Sequence, residues 1–442
     1  MKKTTILILL FNIITFAQST ELTLLESLQL GLKNSKELKI AKSKIIKAEA
    51  METEVASSMF PQISLNAAYR RLSDVHPFQL KLPMFPKPVT IQETILDNYS
   101  ISASVQQPLF TGFKLSSLKS AAAFNKKAET VMLNKEEINK AEEIQKAFWH
   151  LYNAEAIVNL IKENLNSLEH HLKDTENFLK NGLVTKNDLL KLKVELSNIK
   201  LKLLEAKNKR KLAKTMFNKV LGLPLSKNTK IKVDKIIVDT LKINYAKLKE
   251  EALKNRSELK SVSLKIKALD EKETAALSDW YPQLFAFGNF YYSKPNQRYL
   301  PVENKFNDSW DVGIALKWNL WTWGKTSAKS QQAEEDKFQA EEKLKLLQEA
   351  VQLDVYNNYL KLLSAKEKIN LSKLQIESAA ENYRITKEKY EQQLATSTEL
   401  IDAETSLLNA KTKLITSQVE YKLGKAALDK ATGKRTIKFE VQ

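Results

Sequence analysis

The chain has 442 residues, 43% of them hydrophobic and 28% charged, and its 70 Lys and Arg against 52 Asp and Glu give a formal net charge of +18. It contains no cysteine, which excludes disulfides and the lipid-accepting thiol of a bacterial lipoprotein. The positive charge raises nucleic acid as a partner, but the lysines alternate with glutamate, as in Lys135-Glu136-Glu137 and Glu341-Glu342-Lys343, with no basic block beside stacking aromatics; this is a solvated helix surface, and no nucleic-acid partner is expected.

At the start, Lys2 and Lys3 precede the apolar run Ile6 to Ile14, and Thr15-Phe16-Ala17 ends in a small residue. That pattern predicts a signal peptide over 1–17 and export. The run is too short to span a membrane as a helix, and no later stretch approaches the roughly 20 apolar residues such a span needs.

All ten prolines lie at 61, 77, 83, 86, 88, 108, 224, 282, 295 and 301. Residues 113–181, 183–221, 225–281 and 325–423 lack both Gly and Pro and are rich in helix formers, so long helices are predicted there. Apolar residues recur at three and four, as in Ile144, Phe148, Leu151, Tyr152 and Val158, and call for helical neighbours. A helix over about 113–180 would run on the order of 100 Å, a rod rather than a globule. The returning helix, about 186–220, covers half that distance before Gly222-Leu223-Pro224. A strand-prone stretch, Lys230 to Ile243, and a second half-length helix at about 246–279 follow, which predicts an antiparallel coiled-coil rod with an irregular belt near its middle.

The proline-bearing segments have period two. Ile63, Leu65, Ala67 and Tyr69 alternate with Ser64, Asn66, Ala68 and Arg70, and Trp310, Val312, Ile314, Leu316 and Trp318 alternate with Asp311, Gly313, Ala315, Lys317 and Asn319. Each run lasts about ten residues, the length of a tilted transmembrane strand with one face to lipid and one to a lumen. Trp280, Tyr281, Trp310, Trp318, Trp321 and Trp323 are the expected membrane-interface aromatics. Only a closed barrel satisfies strand backbones in lipid, and two hairpins supply four strands, so oligomerisation would have to close it. The alternative is an exported, non-channel coiled-coil structural protein with ordinary soluble hairpins.

The chain also repeats itself. Asn34-Ser35-Lys36-Glu37-Leu38 returns as Asn255-Arg256-Ser257-Glu258-Leu259, and Phe60-Pro61-Gln62 as Tyr281-Pro282-Gln283, while Leu109-Phe110-Thr111 returns as Leu320-Trp321-Thr322. An internal two-fold repeat is expected: 18–225 (helix, β-hairpin about 61–109, long helix, turn, half helix), a connection at 226–245, and 246–442 with a β-hairpin at about 283–320. Two copies argue against a single catalytic centre. The four histidines, at 76, 150, 170 and 171, have no metal-ligand spacing with carboxylates, and His170 and His171 read as exposed helix positions. Gly324-Lys325-Thr326 imitates a phosphate loop, but the motif's earlier glycine is Asn319. Neither enzyme activity nor a cofactor or metal is expected.

The turn signals are specific. Thr185 with Asp188, and Thr396 with Glu399, fit the capping box, and Gly182 suits the left-handed end of a helix. Asp402 shares a face with Glu399 and caps nothing. The stretch from Tyr390 through Leu394, Ala395, Thr396, Glu399 and Asp402 to Ala410 resembles the second helical-hairpin turn of the TolC family of outer-membrane efflux proteins, and Asn181 to Leu190 resembles the first. The resemblance covers essentially the whole chain after residue 17. It implies a homotrimer sharing one twelve-stranded β-barrel, four strands per chain, in the outer membrane of a Gram-negative bacterium. A long α-helical tunnel would continue the barrel to a periplasmic adaptor and an inner-membrane pump of RND or ABC type. The implied function is the exit duct of tripartite efflux, with type I protein secretion as the alternative. It also implies a pore ring of Glu399 and Asp402, a closing pair between Asp188 and Tyr390, and adaptor docking through Gly182, Leu183, Val184, Thr185, Leu394, Ala395 and Thr396. Gln393 stands where that family usually has glycine, and Ala395 where an arginine can support the closed gate.

Overall fold

The structure, a computed structural model, describes residues 21–81, 83–86, 88–92, 94–233, 236 and 244–435. The predicted signal peptide lies outside the described residues, as does most of the strand-prone stretch that ends at Ile243. The elements in chain order are β1 (Glu21–Leu22), α1 (Leu24–Asn34), α2 (Lys36–Ser57), β2 (Gln62–Arg71), β3 (Phe78–Leu80), β4 (Val89–Gln92), β5 (Asp97–Phe110), α3 (Lys114–Lys180), α4 (Lys186–Val220), β6 (Lys230–Ile231), α5 (Tyr245–Asn255), α6 (Ser257–Leu277), β7 (Gln283–Lys294), β8 (Asn307–Lys317), α7 (Lys325–Glu391) and α8 (Ser397–Ala431). A 3-10 turn, Ser278–Trp280, precedes β7. The long helices α3 and α7 have 67 residues each, and α4 and α8 have 35 each. Among the described residues no helix is long and apolar enough to cross a membrane.

Two compact units emerge, each assembled from separate stretches. One comprises the described residues of Met1–Lys39, Asn134–Arg256 and Glu349–Gln442. Its core joins Val158, Ile161 and Leu168 of α3 to Leu192, Leu196, Ile199, Leu203 and Ala206 of α4 and Leu408 of α8. The α4 residues advance by alternating steps of four and three, a mean period of 3.5, which keeps one apolar seam on its neighbours along the helix and gives knobs-into-holes packing. A second cluster forms where α1 meets the bundle: Phe148 and Phe217 are fully buried, with ring centroids 6.0 Å apart, beside Leu28, Ile144 and Leu221. Asn218 fixes the chain leaving α4, donating to the carbonyls of Leu225 and Lys227 and accepting from Thr229 Oγ1 at 2.7 Å. The residues after it reach β6, which pairs in parallel with β1.

The half-length helix expected at about 246–279 is interrupted. Arg256 has φ −57° and ψ 121°, separating α5 from α6. The like-sequence position Ser35, φ −59° and ψ 122°, separates α1 from α2. Neither break has a Gly or Pro to announce it. At Ser35 the hydroxyl accepts from the Leu38 amide at 3.2 Å. At Arg256 the break is held by tertiary contact, the guanidinium donating to Asp354 at 2.5 Å and to the Lys430 carbonyl at 3.5 Å.

The second unit comprises Ile40–Leu133 and Ser257–Gln348. It holds an antiparallel sheet in the order β2-β5-β7-β8. Among the described residues the outer edges of β2 and β8 have no strand partner. The hairpin predicted over about 61–109 holds a smaller one, β3 with β4, that periodicity did not announce. At the helical end, Lys337 of α7 donates to Asp270 and Glu273 of α6 at 2.5 and 3.2 Å, and these carboxylates raise its pKa.

The passage from β5 into α3 turns on Gly112, φ +60°, where a Cβ would lie 2.6 Å from the Ser278 carbonyl oxygen and 2.8 Å from Tyr281 Cβ. Gly112→Ala combines left-handed strain with a backbone clash and should destabilise the unit by about 1–3 kcal/mol. A lowered thermal midpoint by circular dichroism checks this.

Candidate functional site

The turn joining α3 to α4 is built from capping alone. Leu183 N–H donates to the Phe178 carbonyl at 2.9 Å and Gly182 N–H to Leu179 at 3.0 Å, the paired bonds of a Schellman end, with Gly182 at φ +70°. Thr185 then starts α4: its amide and hydroxyl donate to Asp188 Oδ2 at 3.0 and 2.6 Å, and its hydroxyl accepts from the Asp188 amide at 3.2 Å. The turn joining α7 to α8 repeats this geometry. Leu394 N–H donates to Lys389 at 2.8 Å and Gln393 N–H to Tyr390 at 2.9 Å. The amide and hydroxyl of Thr396 donate to Glu399 Oε2 at 2.7 and 2.9 Å. These bonds favour the charged form, so the hydroxyl of Thr185 and the amide of Thr396 lead the causes that hold Asp188 and Glu399 below the ordinary carboxylate range. Gln393 occupies the position of Gly182 and adopts φ +63°.

Both predicted capping boxes are therefore present, and the half-buried Asp188 and the exposed Glu399 are carboxylates fixed in place by them. Asp402 is exposed on the next turn of α8. Leu183 and Leu394 are exposed at the tips of the turns, with Ala395 and Val184 beside them. Tyr390 is buried, its hydroxyl 2.8 Å from Thr175 Oγ1 and 3.4 Å from Ser397 Oγ, and its ring meets Phe178 edge-on. Within the chain the Tyr390 hydroxyl thus bonds Thr175 and Ser397, while the Asp188 carboxylate bonds Thr185.

The reading of His171 as an exposed position is corrected: it is 8% exposed, because it faces α7 and α8 rather than solvent. Its Nε2 lies 3.4 Å from both Ser167 Oγ and Tyr383 OH and 3.6 Å from Glu404 Oε2. Glu404, itself 6% exposed, accepts from Asn164 Nδ2 at 3.0 Å. Sequence reasoning missed this polar seam; its only trace is a charged residue, Glu404, next to Ala403 on an otherwise inward face of α8.

In the sheet, cross-strand register collects the apolar positions on one face. Ile63 pairs with Val105 and Ala67 with Ile101; Ala103 pairs with Phe290, and Phe290 with Trp310; Gly288 pairs with Val312, and Ala286 with Ile314. The opposite face carries Ser64 with Ser104, Asn66 with Ser102, and Asn289 with Asp311, whose side chains bond at 2.8 Å. Ile63, Val312 and Ile314 are 81%, 71% and 67% exposed, so the apolar face is uncovered. Trp280 and Tyr281 enter β7, and Trp318, Trp321 and Trp323 follow β8 at the same end of the sheet; Trp318 Nε1 donates to the Trp280 carbonyl at 3.2 Å. Trp310 lies within β8. Tyr69, Tyr99, Tyr292 and Phe306 stack at the other end, a second aromatic group that the sequence reading did not single out.

The sequence pattern of the family described as outer membrane efflux protein matches residues 27–223 and 248–434. The chain belongs to that family. It is similar in fold to the outer membrane protein VceC of Vibrio cholerae, at 18% identity and TM-score 0.76 over 93% of this chain and 96% of that one. It is also similar to the CmeC outer membrane channel of Campylobacter jejuni, at 17% identity and TM-score 0.77 over 93% and 85% of the two chains. A third likeness is to the open state of the Neisseria gonorrhoeae MtrE outer membrane channel, at 14% identity and TM-score 0.74 over 93% and 89%. No curated protein matches in sequence. Membership of an outer-membrane efflux family agrees with the TolC-type resemblance, and the chain has the mostly helical, part-sheet architecture of such channels.

Gln393→Gly removes a side chain from a left-handed position and should stabilise the second turn by about 0.5–1 kcal/mol, whereas Gly182→Ala should weaken the first by a similar amount. Amide hydrogen exchange at 178–185 and 389–396 reads both changes.

Proposed function

We propose that three copies of this chain form the exit duct of a tripartite efflux system, passing substrates from an inner-membrane pump of RND or ABC type, through a periplasmic adaptor, to the exterior. The observation that carries this is the four-stranded sheet with one uncovered apolar face and, among the described residues, two unpaired edges. Unpaired strand edges are untenable in hydrocarbon, and four strands are too few to close around a lumen; twelve, from three copies pairing β2 with a neighbour's β8, enclose one. The polar face then lines the pore, and the aromatic groups at its two ends lie at the membrane interfaces.

The helices support the same assembly. Leu190, Val194, Leu201, Leu204, Leu212 and Met216 form an exposed apolar stripe on α4, and Leu353, Tyr356, Leu360, Leu363, Leu371 and Leu374 form another on α7. Stripes at helical spacing ask for a partner helix, and seating one copy's α4 against the next copy's α7 continues the tunnel wall. The equal lengths of α3 and α7, and of α4 and α8, suit two repeats, 18–225 and 246–442, and residues 1–17 direct export. At the periplasmic mouth Glu399 and Asp402 of three copies make a ring of six carboxylates, Asp188 and Tyr390 contribute to closure, and the tips Leu183, Val184, Leu394 and Ala395 meet the adaptor. Gln393 and Ala395 replace the glycine and arginine of related gates, so closure relies on other contacts.

The protein should fractionate with the outer membrane and run as a trimer in unheated gel samples and a monomer in heated ones. In planar bilayers Glu399→Gln with Asp402→Asn should move the cation-to-anion permeability ratio toward unity. A soluble monomer would remove the channel, and an unchanged reversal potential would remove the ring.

A further inference from the structure

The buried seam between α3 and α8 brings a carboxylate, an amide and an imidazole together. Glu404 Oε2 and Asn164 Oδ1 are both buried without a hydrogen-bond partner, although Glu404 Oε1 and Asn164 Nδ2 bond each other. Both residues line a cavity of about 120 Å³, together with Ser167 and Tyr383. A buried carboxylate oxygen without a donor is costly, and a proton on Glu404 would turn Oε2 from an acceptor into a donor. The imidazole Nε2 of His171 lies within ion-pair distance of that oxygen, at 3.6 Å.

We propose that Glu404 and His171 hold a single proton between them as a buried, charge-neutral clasp that joins the first helical hairpin to the second. With the proton on Oε2, the carboxyl becomes a donor, Nε2 its acceptor, and no net charge is buried. The clasp connects directly to the turns, since Thr175 Oγ1 donates to the His171 carbonyl at 2.8 Å and bonds Tyr390 OH at 2.8 Å.

The surroundings favour this state. Burial pushes the Glu404 carboxyl up, opposed by the neighbouring Ser167 hydroxyl, the Asn164 amide and Lys387, with Glu195 adding to the rise. Burial pushes His171 down, aided by Lys387 and His170 and opposed by Asp174 and Glu391. Glu163 and Lys411 stand at the cavity. A carboxyl raised in the folded state contributes stability that is full below its unfolded value and is lost as pH rises through the folded one; a lowered imidazole contributes stability that is lost as pH falls. The alkaline loss lies above the ordinary carboxyl value of 4.5 and the acid loss below the ordinary imidazole value of 6.5. The two contributions therefore respond to pH in opposite directions.

The test is infrared difference spectroscopy on the purified full chain, which requires no channel activity and so stands or falls apart from the proposed duct. At about pH 6, where exposed carboxylates are ionised, wild type minus Glu404→Gln should show the carbonyl band of one protonated carboxylic acid, lost as pH is raised. His171→Leu should shift that loss to lower pH, because the acid form loses its acceptor. A flat difference spectrum from variants with wild-type helical content overturns the protonated carboxyl. A band that titrates identically in His171→Leu overturns the sharing of the proton.

Discussion

The backbone groups along the outer edges of β2 and β8 set the terms for everything else in this protein. A sheet with one apolar face can bury that face against a second layer or present it to lipid, and this face lies uncovered. In lipid there is no water to satisfy an edge, so only a closed ring of strands survives. Four strands per chain turn that local requirement into a statement about assembly: the sheet is incomplete alone, and the proposed trimer supplies the missing partners. The polar face follows from the same alternation, because every second residue of a strand points to the opposite face. In the proposed trimer Ser64, Asn66, Ser102 and Asn289 would line the passage for that reason, without any need to recognise what passes.

The helical unit solves a different problem with different means. Its core residues follow a 3.5-residue period and hold α3 against α4 along a narrow seam. Narrow seams leave much of each helix exposed, so charged pairs such as Lys193 with Glu176 lie on the surface, where each contributes little. The turns are consequently the places where helix ends need explicit satisfaction. Both use a Schellman end followed by a capping box, and both spend a carboxylate on backbone amides. Asp188 and Glu399 are charges in fixed positions.

Much of this was legible in the sequence because the signals were local. The bounds of α3 and α4 follow from where Gly and Pro fall, the capping boxes from four-residue motifs, and β2 and β8 from strict alternation. What escaped was set by contacts between distant residues. The interruption at Arg256 carries no breaker and depends on Asp354 and the Lys430 carbonyl. His171 looked like any polar residue on a charged helix until α7 and α8 were placed against it. Tyr69, Tyr99 and Tyr292 come from three strands, and Phe306 precedes a fourth, so only cross-strand register brings them together. The short β1–β6 pairing joins residues too far apart in sequence for periodicity to suggest.

The helix interruptions at Ser35 and Arg256 have one more consequence. A continuous helix advances about 100° per residue without remission, so the direction in which its first turn faces dictates where its last turn faces. One residue with extended ψ erases that memory. Beyond it the chain begins a new helix with its own azimuth, free to aim its apolar residues at whatever neighbour is at hand. An insertion or deletion in α2 or α6 would then leave the facing of α1 or α5 undisturbed. The uninterrupted α3 and α7 have no such freedom: a single inserted residue there would rotate every side chain beyond it off its seam.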